Sequence, residues 1–367
     1  MEDILKIPIY KPYLPQKILH YAHRALDNME IANNGPYLFN VTEELQKICN
    51  VNHVVLVNNG TSATHLLIKI LKKFYPGIRK IIVPNNSYVA VYNSILYDRY
   101  FEIIPVDADI DTWNMDLASI SSIPDDTAIF VVHNLGNIIN VPAIHRRFPQ
   151  AIIIEDNCEG FMGKYENQYS GTDCIASSVS FFINKLITCS EGGAVFTNNE
   201  HVAKYSHLIK SQGQSSKKFV HEEIGNNFRM TNLQAALLLG QLQYLSEIIE
   251  QKKIVFDYYR KNLENQEKIV LQKNEDGTEN ANWMFAVRFV DNENYEKASK
   301  FFDSCGIETR PMFYSIREHK HLNFINTDDN VAKRLSDEIV VLPSYPELTR
   351  SELDYIIEKV MKYREKI

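Results

Sequence analysis

A single lysine, Lys185, stands between an apolar run and a glycine pair in the stretch SFFINKLITCSEGGAVF, residues 180–196. Lysine is among the residues least often fully buried, so this amine either reaches solvent or is retained for chemistry. A free lysine amine is protonated at neutral pH and is a poor nucleophile. Burial or a neighbouring cation lowers the pKa of a lysine and lets it form a Schiff base with a carbonyl. The pattern therefore makes Lys185 a candidate catalytic amine.

A possible phosphate cradle lies in NGTSA, residues 59–63. Gly60, followed by Thr61 and Ser62, offers backbone N–H groups and hydroxyls at the start of a predicted helix. Helix N-termini of this kind bind phosphate groups. The same residue types also serve as ordinary helix caps. The segment by itself leaves both interpretations open.

An acid and an aromatic ring follow two other predicted strands. Asp156 closes AIIIED, residues 151–156, and Tyr88 lies in NNSY, residues 85–88. The carboxylate is either a solvated strand end or the anion that a protonated pyridine nitrogen needs as its partner. The tyrosine is either part of the core rim or a flat surface for stacking. Together with the lysine and the phosphate cradle, these residues point to pyridoxal 5′-phosphate (PLP).

Seven apolar, β-branched runs predict the strands that must bring these residues to one edge. They lie at residues 53–60, 80–86, 101–107, 128–134, 151–156, 177–182 and 192–198. Several runs are continuous rather than alternating, as in strands covered on both faces. Helical segments such as 61–74, with Thr61 at the cap position, separate them. This alternation predicts an α/β fold with a mostly parallel sheet and a ligand site at the carboxyl ends of its strands.

The pattern changes after about residue 230. Residues 231–263 predict one long helix or two, residues 283–290 a short strand, and residues 351–367 an amphipathic helix. We expect a large cofactor-binding α/β domain over residues 1–240 and a smaller α+β domain over residues 241–367. The sequence contains no internal repeat.

Composition excludes several classes of partner. The chain has 367 residues and a net charge of −7, so it lacks the basic footprint of a protein that binds nucleic acid or an anionic membrane. The five cysteines are scattered and contain no C-x-x-C pair, which indicates neither a disulfide framework nor a metal site. No apolar run approaches the ~18 residues of a membrane span. We expect a cytoplasmic protein whose partners are small molecules.

Eight collinear segments carry a resemblance to a known family. The chain resembles the DegT/DnrJ/EryC1/StrS sugar aminotransferases, and the segments TWNMDL, IETRPMFY and LPSYPEL are similar to its nucleotide-sugar 4-aminotransferases. The resemblance implies the aspartate-aminotransferase architecture (PLP-dependent transferase fold type I). It also implies transfer of an amino group from L-glutamate to a nucleotide-linked 4-keto-6-deoxyhexose, with a perosamine- or viosamine-type product. The eight segments are NNGTSATHLLIKIL, IIVPNNSYVAVYNSILY, VVHNLGN, IIIEDNCEGFMGKYENQYSGT, SFFINKLITCSEGGAVFTNN, GNNFRMTNLQAALLLGQL, IETRPMFYSI and VVLPSYPELT.

The resemblance also implies roles for individual residues. Lys185 matches the Schiff-base lysine and Asp156 the acid at the pyridine nitrogen. Glu159 matches a residue near the ring hydroxyl of the cofactor, and Tyr88 the stacking ring. Asn227 matches an asparagine that reaches the phosphate in the neighbouring subunit, which implies a homodimer with shared active sites. The phosphate-side positions are Gly60, Thr61, Ser62 and Ser180, and the implied substrate-side positions are Arg310 and Tyr314.

Alternatives remain within the family and outside it. The 3-dehydratases of the family have His where this chain has Lys185, which argues against that activity. The other two interpretations are a sugar 3-aminotransferase and a non-catalytic regulatory relative. The chain also departs from the family pattern at LGN (135–137), at NSY (86–88) and in RPMFYSIREH, which lacks a second proline. These departures affect the substrate side and remove no catalytic group.

Overall fold

The computed structural model describes residues 6–367, in which two larger sheets and one small sheet are surrounded by helices. The strands are β1 (His53–Val57), β2 (Lys80–Pro84), β3 (Glu102–Val106), β4 (Thr127–Val132), β5 (Ile152–Asp156), β6 (Lys164–Tyr165), β7 (Gln168–Tyr169), β8 (Ser177–Ser180), β9 (Gly193–Thr197), β10 (Ile269–Leu271), β11 (Thr278–Glu279), β12 (Ala286–Phe289), β13 (Arg310–Pro311) and β14 (Ile339–Val341). The helices are α1 (Gln16–Asp27), α2 (Pro36–Cys49), α3 (Gly60–Phe74), α4 (Ala90–Tyr97), α5 (Val141–Arg147), α6 (Glu200–Lys210), α7 (Asn232–Gln243), α8 (Leu245–Leu263), α9 (Tyr295–Ser304), α10 (Asn330–Glu338) and α11 (Arg350–Arg364).

The large sheet has seven strands in the order β1-β9-β8-β5-β4-β2-β3. Only β9 runs against its neighbours, so the sheet is mostly parallel, as predicted. All seven predicted strand runs lie in this sheet. Their continuous apolar character arises because helices cover both faces: α3, α4 and α6 pack on one side, and α2 and α7 on the other.

The start of α3 differs from the predicted one. Thr61 is not the cap, because the side-chain oxygen of Asn59 accepts the backbone N–H of Ser62 at 2.8 Å. Asparagine is as good a cap as threonine, and its position two residues earlier moves Gly60 into the first turn of the helix. Gly60 and Thr61 therefore present their N–H groups at the carboxyl edge of the sheet.

The predicted helical stretch 231–263 forms two helices. α7 begins with a capping box at Thr231 and ends at Gln243, and α8 continues from Leu245. α7 packs against α1 and α2, whereas α8 packs against α11 and β10. The second sheet, in the order β10-β12-β14-β13, is formed by strands that follow α8 in the chain. The domain division at 240/241 stays a prediction.

The N-terminal segment joins the C-terminal half of the molecule. Ile7 forms a parallel bridge with Ile307 and belongs to the same apolar cluster as α8, α9 and α11. Ile9 packs with Trp283 and Met312 in a neighbouring cluster. The segment that begins at residue 6 therefore leads from the four-stranded sheet towards the carboxyl edge of the seven-stranded sheet.

Candidate active site

The N-terminus of α3 forms one wall of the site. The first N–H groups of a helix have no partner within the helix, and Asn59 satisfies only that of Ser62. Within residues 6–367 the N–H groups of Gly60 and Thr61 have no acceptor outside the helix, so they remain for an external one. The helix dipole adds partial positive charge at this point. This wall is therefore suited to an anion of the size of a phosphate group.

Two close approaches shape this wall. A Cβ atom at Gly60 would lie 2.7 Å from Cβ and 2.8 Å from Oγ of Ser180, so the hydroxyl of Ser180 faces the helix start. A Cβ atom at Gly193 would lie 2.5 Å from the carbonyl oxygen of Asn59. Only glycine allows β9 to pass so near the loop. Gly193, the second residue of the glycine pair, therefore lets β9 pack against the start of the cradle.

Asp156 lies at the end of β5, in the middle of the same edge. Its Oδ1 accepts the backbone N–H of Cys158 at 2.9 Å and the hydroxyl of Ser178 at 3.4 Å. Among residues 6–367, no protein donor lies within hydrogen-bond distance of its Oδ2. One oxygen thus fixes the carboxylate, and the other remains for a donor such as a protonated ring nitrogen.

Lys185 lies on a turn beyond the end of its strand. β8 stops at Ser180, and Lys185 lies on a turn in which its N–H donates to the carbonyl of Phe182 at 2.9 Å. Its side chain is 13% exposed, and its Nζ lies 3.8 Å from Oε1 of Glu159. The amine therefore enters the site from a turn and faces a buried carboxyl group.

Glu159 is held by its second oxygen. Its Oε2 accepts the backbone N–H of Leu135 at 2.9 Å. Burial raises the pKa of Glu159 to about 7, against the opposing effects of Lys185 and of the Leu135 N–H. Burial and the charge of Asp156 likewise raise the pKa of the nearby Cys158 thiol well above its ordinary value. The thiol is therefore neutral near pH 7, and Glu159 can gain or lose a proton there.

Two residues of this site were missed by sequence reasoning. The ring of Trp283 lies 3.9 Å from Nζ of Lys185, and its Nε1 donates to the carbonyl of Asn184 at 2.8 Å. The hydroxyl of Tyr10 donates to the carbonyl of Lys185 at 2.7 Å. Both come from distant parts of the chain, and no local sequence signal marks them.

Four of the predicted site residues lie apart from this cluster. Tyr88 is at the same edge but is 57% exposed, with its ring 6.1 Å from that of Phe313. Asn227 is exposed on the segment between α6 and α7. Arg310 is exposed and pairs with Glu308 at 3.6 Å, and Tyr314 is half-buried. Within residues 6–367, none of the four has a hydrogen bond or ion pair with Lys185, Asp156 or Glu159. Their roles stay predictions.

The cluster fits PLP in its donor chemistry. The cradle at Gly60, Thr61 and Ser180 would take the phosphate, and Oδ2 of Asp156 would take the ring nitrogen. Lys185 supplies the only kind of side chain that forms a Schiff base. The described residues contain no group of metal-ligating side chains, and none of the helices within 6–367 is long and apolar enough to span a bilayer.

The sequence matches known proteins over nearly its whole length. GDP-perosamine synthase of Escherichia coli O157:H7 is 32% identical over 365 residues, which cover 97% of this chain and 98% of that protein. A relative that is this similar over nearly the whole chain shares its fold and its family.

Solved structures confirm the predicted fold class. Helicobacter pylori PseC, an aminotransferase involved in the biosynthesis of pseudoaminic acid, superposes with a TM-score of 0.90 at 21% identity, covering 99% of this chain and 100% of that one. E. coli GDP-4-keto-6-deoxy-D-mannose-3-dehydratase with bound hydrated PLP gives 0.90 at 22% identity, covering 97% and 99%. Residues 12–361 match the DegT/DnrJ/EryC1/StrS aminotransferase family, and the chain belongs to that family.

Proposed function

We propose that this chain is a PLP-dependent nucleotide-sugar aminotransferase. It transfers the amino group of L-glutamate to C4 of a nucleotide-linked 4-keto-6-deoxyhexose and yields a perosamine- or viosamine-type 4-amino sugar. The observation that carries the proposal is the amine of Lys185, which faces Glu159 at 3.8 Å at the sheet edge that also holds Asp156 and the start of α3. The relative named GDP-perosamine synthase supports the choice of C4.

PLP, when bound, supplies the electron sink that transamination needs. The cradle at Gly60, Thr61 and Ser180 anchors the phosphate. Oδ2 of Asp156 holds the ring nitrogen in its protonated form. Lys185 holds the cofactor and, when its amine is free, moves the proton at Nζ during the transfer.

Glu159 supports this proton transfer. Its pKa of about 7 lets it exchange a proton near neutral pH, and its Oε1 lies 3.8 Å from the Lys185 amine. The partly buried site excludes most water, which strengthens each of these charge interactions.

The substrate-side assignment rests on position and on family resemblance. Arg310 and Tyr314 lie on the segment that follows α9, and Asn85 holds this segment at the sheet edge by accepting the N–H of Ile316 at 3.0 Å. A nucleotide is the large part of such a substrate, so its binding energy would orient the keto group. A displacement of about 1 Å at the reacting carbon can cost ~100-fold in rate. We therefore expect strict selection of C4.

The active enzyme is a homodimer with shared sites in this proposal. Asn227 is exposed on a segment that also exposes Phe219 (78%) and Ile224 (91%) to solvent. Exposed apolar side chains close together favour a protein interface. We place the enzyme in the cytoplasm, because all five cysteines are unpaired, as expected in a reducing compartment.

The role of Lys185 is tested by trapping. The purified protein, loaded with PLP and reduced with borohydride, should carry the pyridoxyl mass on Lys185 after peptide mapping. A label on a different lysine would overturn the assignment of the catalytic amine.

The reaction is tested with a panel of substrates. The protein is incubated with PLP, L-glutamate and GDP-, UDP- and dTDP-linked 4-keto- or 3-keto-6-deoxyhexoses, and the nitrogen is located by NMR. We expect nitrogen at C4. Amination at C3 would replace this proposal by the 3-aminotransferase reading, and loss of the C3 hydroxyl without amination would replace it by the 3-dehydratase reading.

A further inference from the structure

A second lysine close to the site is buried with backbone carbonyls as its hydrogen-bond partners. Lys252, on α8, is 1% exposed, and its Nζ donates to the carbonyl of Trp283 at 2.7 Å and to the carbonyl of Ser344. Within residues 6–367 no carboxylate forms an ion pair with it, and burial alone acts on its charge. Burial lowers the pKa of Lys252 to about 7. An amine in such surroundings is costly, and the proposed transamination does not use it.

The contacts of Lys252 lead directly to Lys185. Lys252 donates to the carbonyl of Trp283. The ring of Trp283 lies 3.9 Å from Nζ of Lys185, and its Nε1 donates to the carbonyl of Asn184. The hydroxyl of Tyr10 donates to the carbonyl of Lys185. The ring of Tyr10 lies 5.8 Å from Nζ of Lys252. One buried amine thus contacts both residues that fix the catalytic lysine and its turn.

We propose that Lys252 is a positioning residue for Lys185: it seats Trp283 so that the indole ring caps the catalytic amine. The inference rests on the proposed role of Lys185. The negative face of an indole ring attracts an ammonium group, and its area shields the amine from solvent. A neutral lysine keeps two N–H donors, enough for the two carbonyls, so Lys252 holds Trp283 in either protonation state.

The test uses the cofactor-free, full-length chain. Because the protein has two tryptophans, Trp113→Phe leaves Trp283 as the only indole emitter. In this background Lys252→Met removes the donors of the buried amine while keeping a side chain of similar length. Lys253→Met is the matched control, since it removes one charge from the exposed face of the same helix.

Two readouts report on the contact. The first is the emission wavelength of Trp283. The second is the rate at which formaldehyde and cyanoborohydride methylate Lys185, measured by peptide mass spectrometry. We expect Lys252→Met to shift the emission to longer wavelength and to raise the methylation rate of Lys185 by roughly 2- to 30-fold, the range of a cation–π contact. Lys253→Met should leave both at the parent values.

A third variant shows whether the effect passes through the ring. Trp283→Leu should itself raise the methylation rate, and adding Lys252→Met to it should raise the rate no further. Parent-like emission and methylation in folded Lys252→Met would overturn the proposal, as would full additivity with Trp283→Leu. If Lys252→Met does not fold, Lys252→Gln, whose shorter amide cannot reach both carbonyls, takes its place with the same expected and overturning results.

These outcomes are separate from those of the proposed function. A pyridoxyl label on another lysine would remove the catalytic role of Lys185, yet the emission and methylation measurements would still test whether Lys252 seats Trp283.

Discussion

At the scale of single residues, two carboxyl groups three positions apart have different surroundings. Asp156 has one oxygen fixed by the N–H of Cys158 at 2.9 Å, and its other oxygen has no donor among residues 6–367. Glu159 is buried against the Lys185 amine, and burial raises its pKa to about 7. The first is suited to hold a positive charge permanently, and the second to exchange a proton.

Asp156→Asn should keep PLP bound and lose most of the transamination rate. The cradle at α3 survives the change, but an amide does not stabilise a positive charge on a pyridine nitrogen. We expect a loss of roughly 100-fold or more in kcat. Titration with PLP and single-turnover kinetics measure the two effects separately. Turnover near the wild-type value would show that the Asp156 carboxylate has only a structural role.

Glu159 should make the stability of the cofactor-free protein depend on pH. Its pKa rises from 4.5 in the unfolded chain to about 7 in the folded one. Its contribution is therefore fully present below about pH 4.5 and is lost as the pH rises through 7. Relative to Glu159→Gln, the wild-type free energy of unfolding should fall by about 2 kcal/mol between pH 5.5 and 8.

Urea unfolding of both proteins across this pH range measures the difference. The exposed Glu267→Gln is the matched control, and its difference from wild type should stay flat. A flat difference for Glu159→Gln as well would contradict the buried, proton-exchanging state of this carboxyl group.

At the scale of elements, the cradle depends on how closely α3, β8 and β9 approach. Asn59 caps α3, Ser180 at the end of β8 faces its first residue, and Gly193 at the start of β9 lets the strands pass. Each element is ordinary by itself. Their contact creates a set of N–H and hydroxyl donors at one point, which is what a phosphate requires.

Gly60→Ala should weaken PLP binding because the added Cβ would lie 2.7 Å from Cβ of Ser180. The clash displaces either the hydroxyl or the helix start, and we expect a 10- to 100-fold rise in the Kd for PLP, or about 1.4–2.7 kcal/mol. Gly77→Ala is the matched control, since a Cβ there meets nothing within 4 Å. Equal affinity of the two variants, measured by fluorescence titration, would show that the cradle does not bind the phosphate.

At the scale of the whole molecule, the site collects residues from both ends of the chain. Tyr10 and Trp283 reach Lys185 from positions 175 and 98 residues away in sequence, and Asn85 ties the 315–316 segment to the sheet edge. Asn227 lies outside this collection and is exposed. Its neighbour Phe228 accepts the backbone N–H of Asn58 at 2.8 Å, and the proposed role of Asn227 at the phosphate of a second subunit stays a prediction.

Mixing two impaired proteins tests the proposed shared sites. If the enzyme is a homodimer of this kind, Lys185→Ala and Asn227→Ala each damage every site of their own homodimer. In a heterodimer one site receives both intact residues, so after full subunit exchange about a quarter of all sites should be restored. Activity measured before and after exchange reports the recovery, and a mixture of two Lys185→Ala preparations is the control. No recovery, with exchange verified by mass spectrometry, would contradict shared sites.

The resemblance of eight segments predicted the family, and the match over residues 12–361 confirmed it. The sequence by itself also determined the seven strands of the large sheet and the α/β fold class. These follow from local signals: continuous apolar runs predict buried parallel strands, and such strands bring their carboxyl ends to one edge. Local patterns were less exact at boundaries. The pattern predicts Thr61 as the cap of α3, but Asn59 provides it, and β8 ends five residues before Lys185.

Only the tertiary structure decided what surrounds the Lys185 amine. The pKa of Glu159 depends on burial, which arises when distant elements pack together. Trp283, Tyr10 and Lys252 are unremarkable in their own stretches of sequence. Trp283 and Tyr10 reach Lys185, and Lys252 reaches Trp283, because the four-stranded sheet and the N-terminal segment fold back against the edge of the seven-stranded sheet. Contacts across such separations are fixed by the packing of the whole chain, so no local pattern contains them.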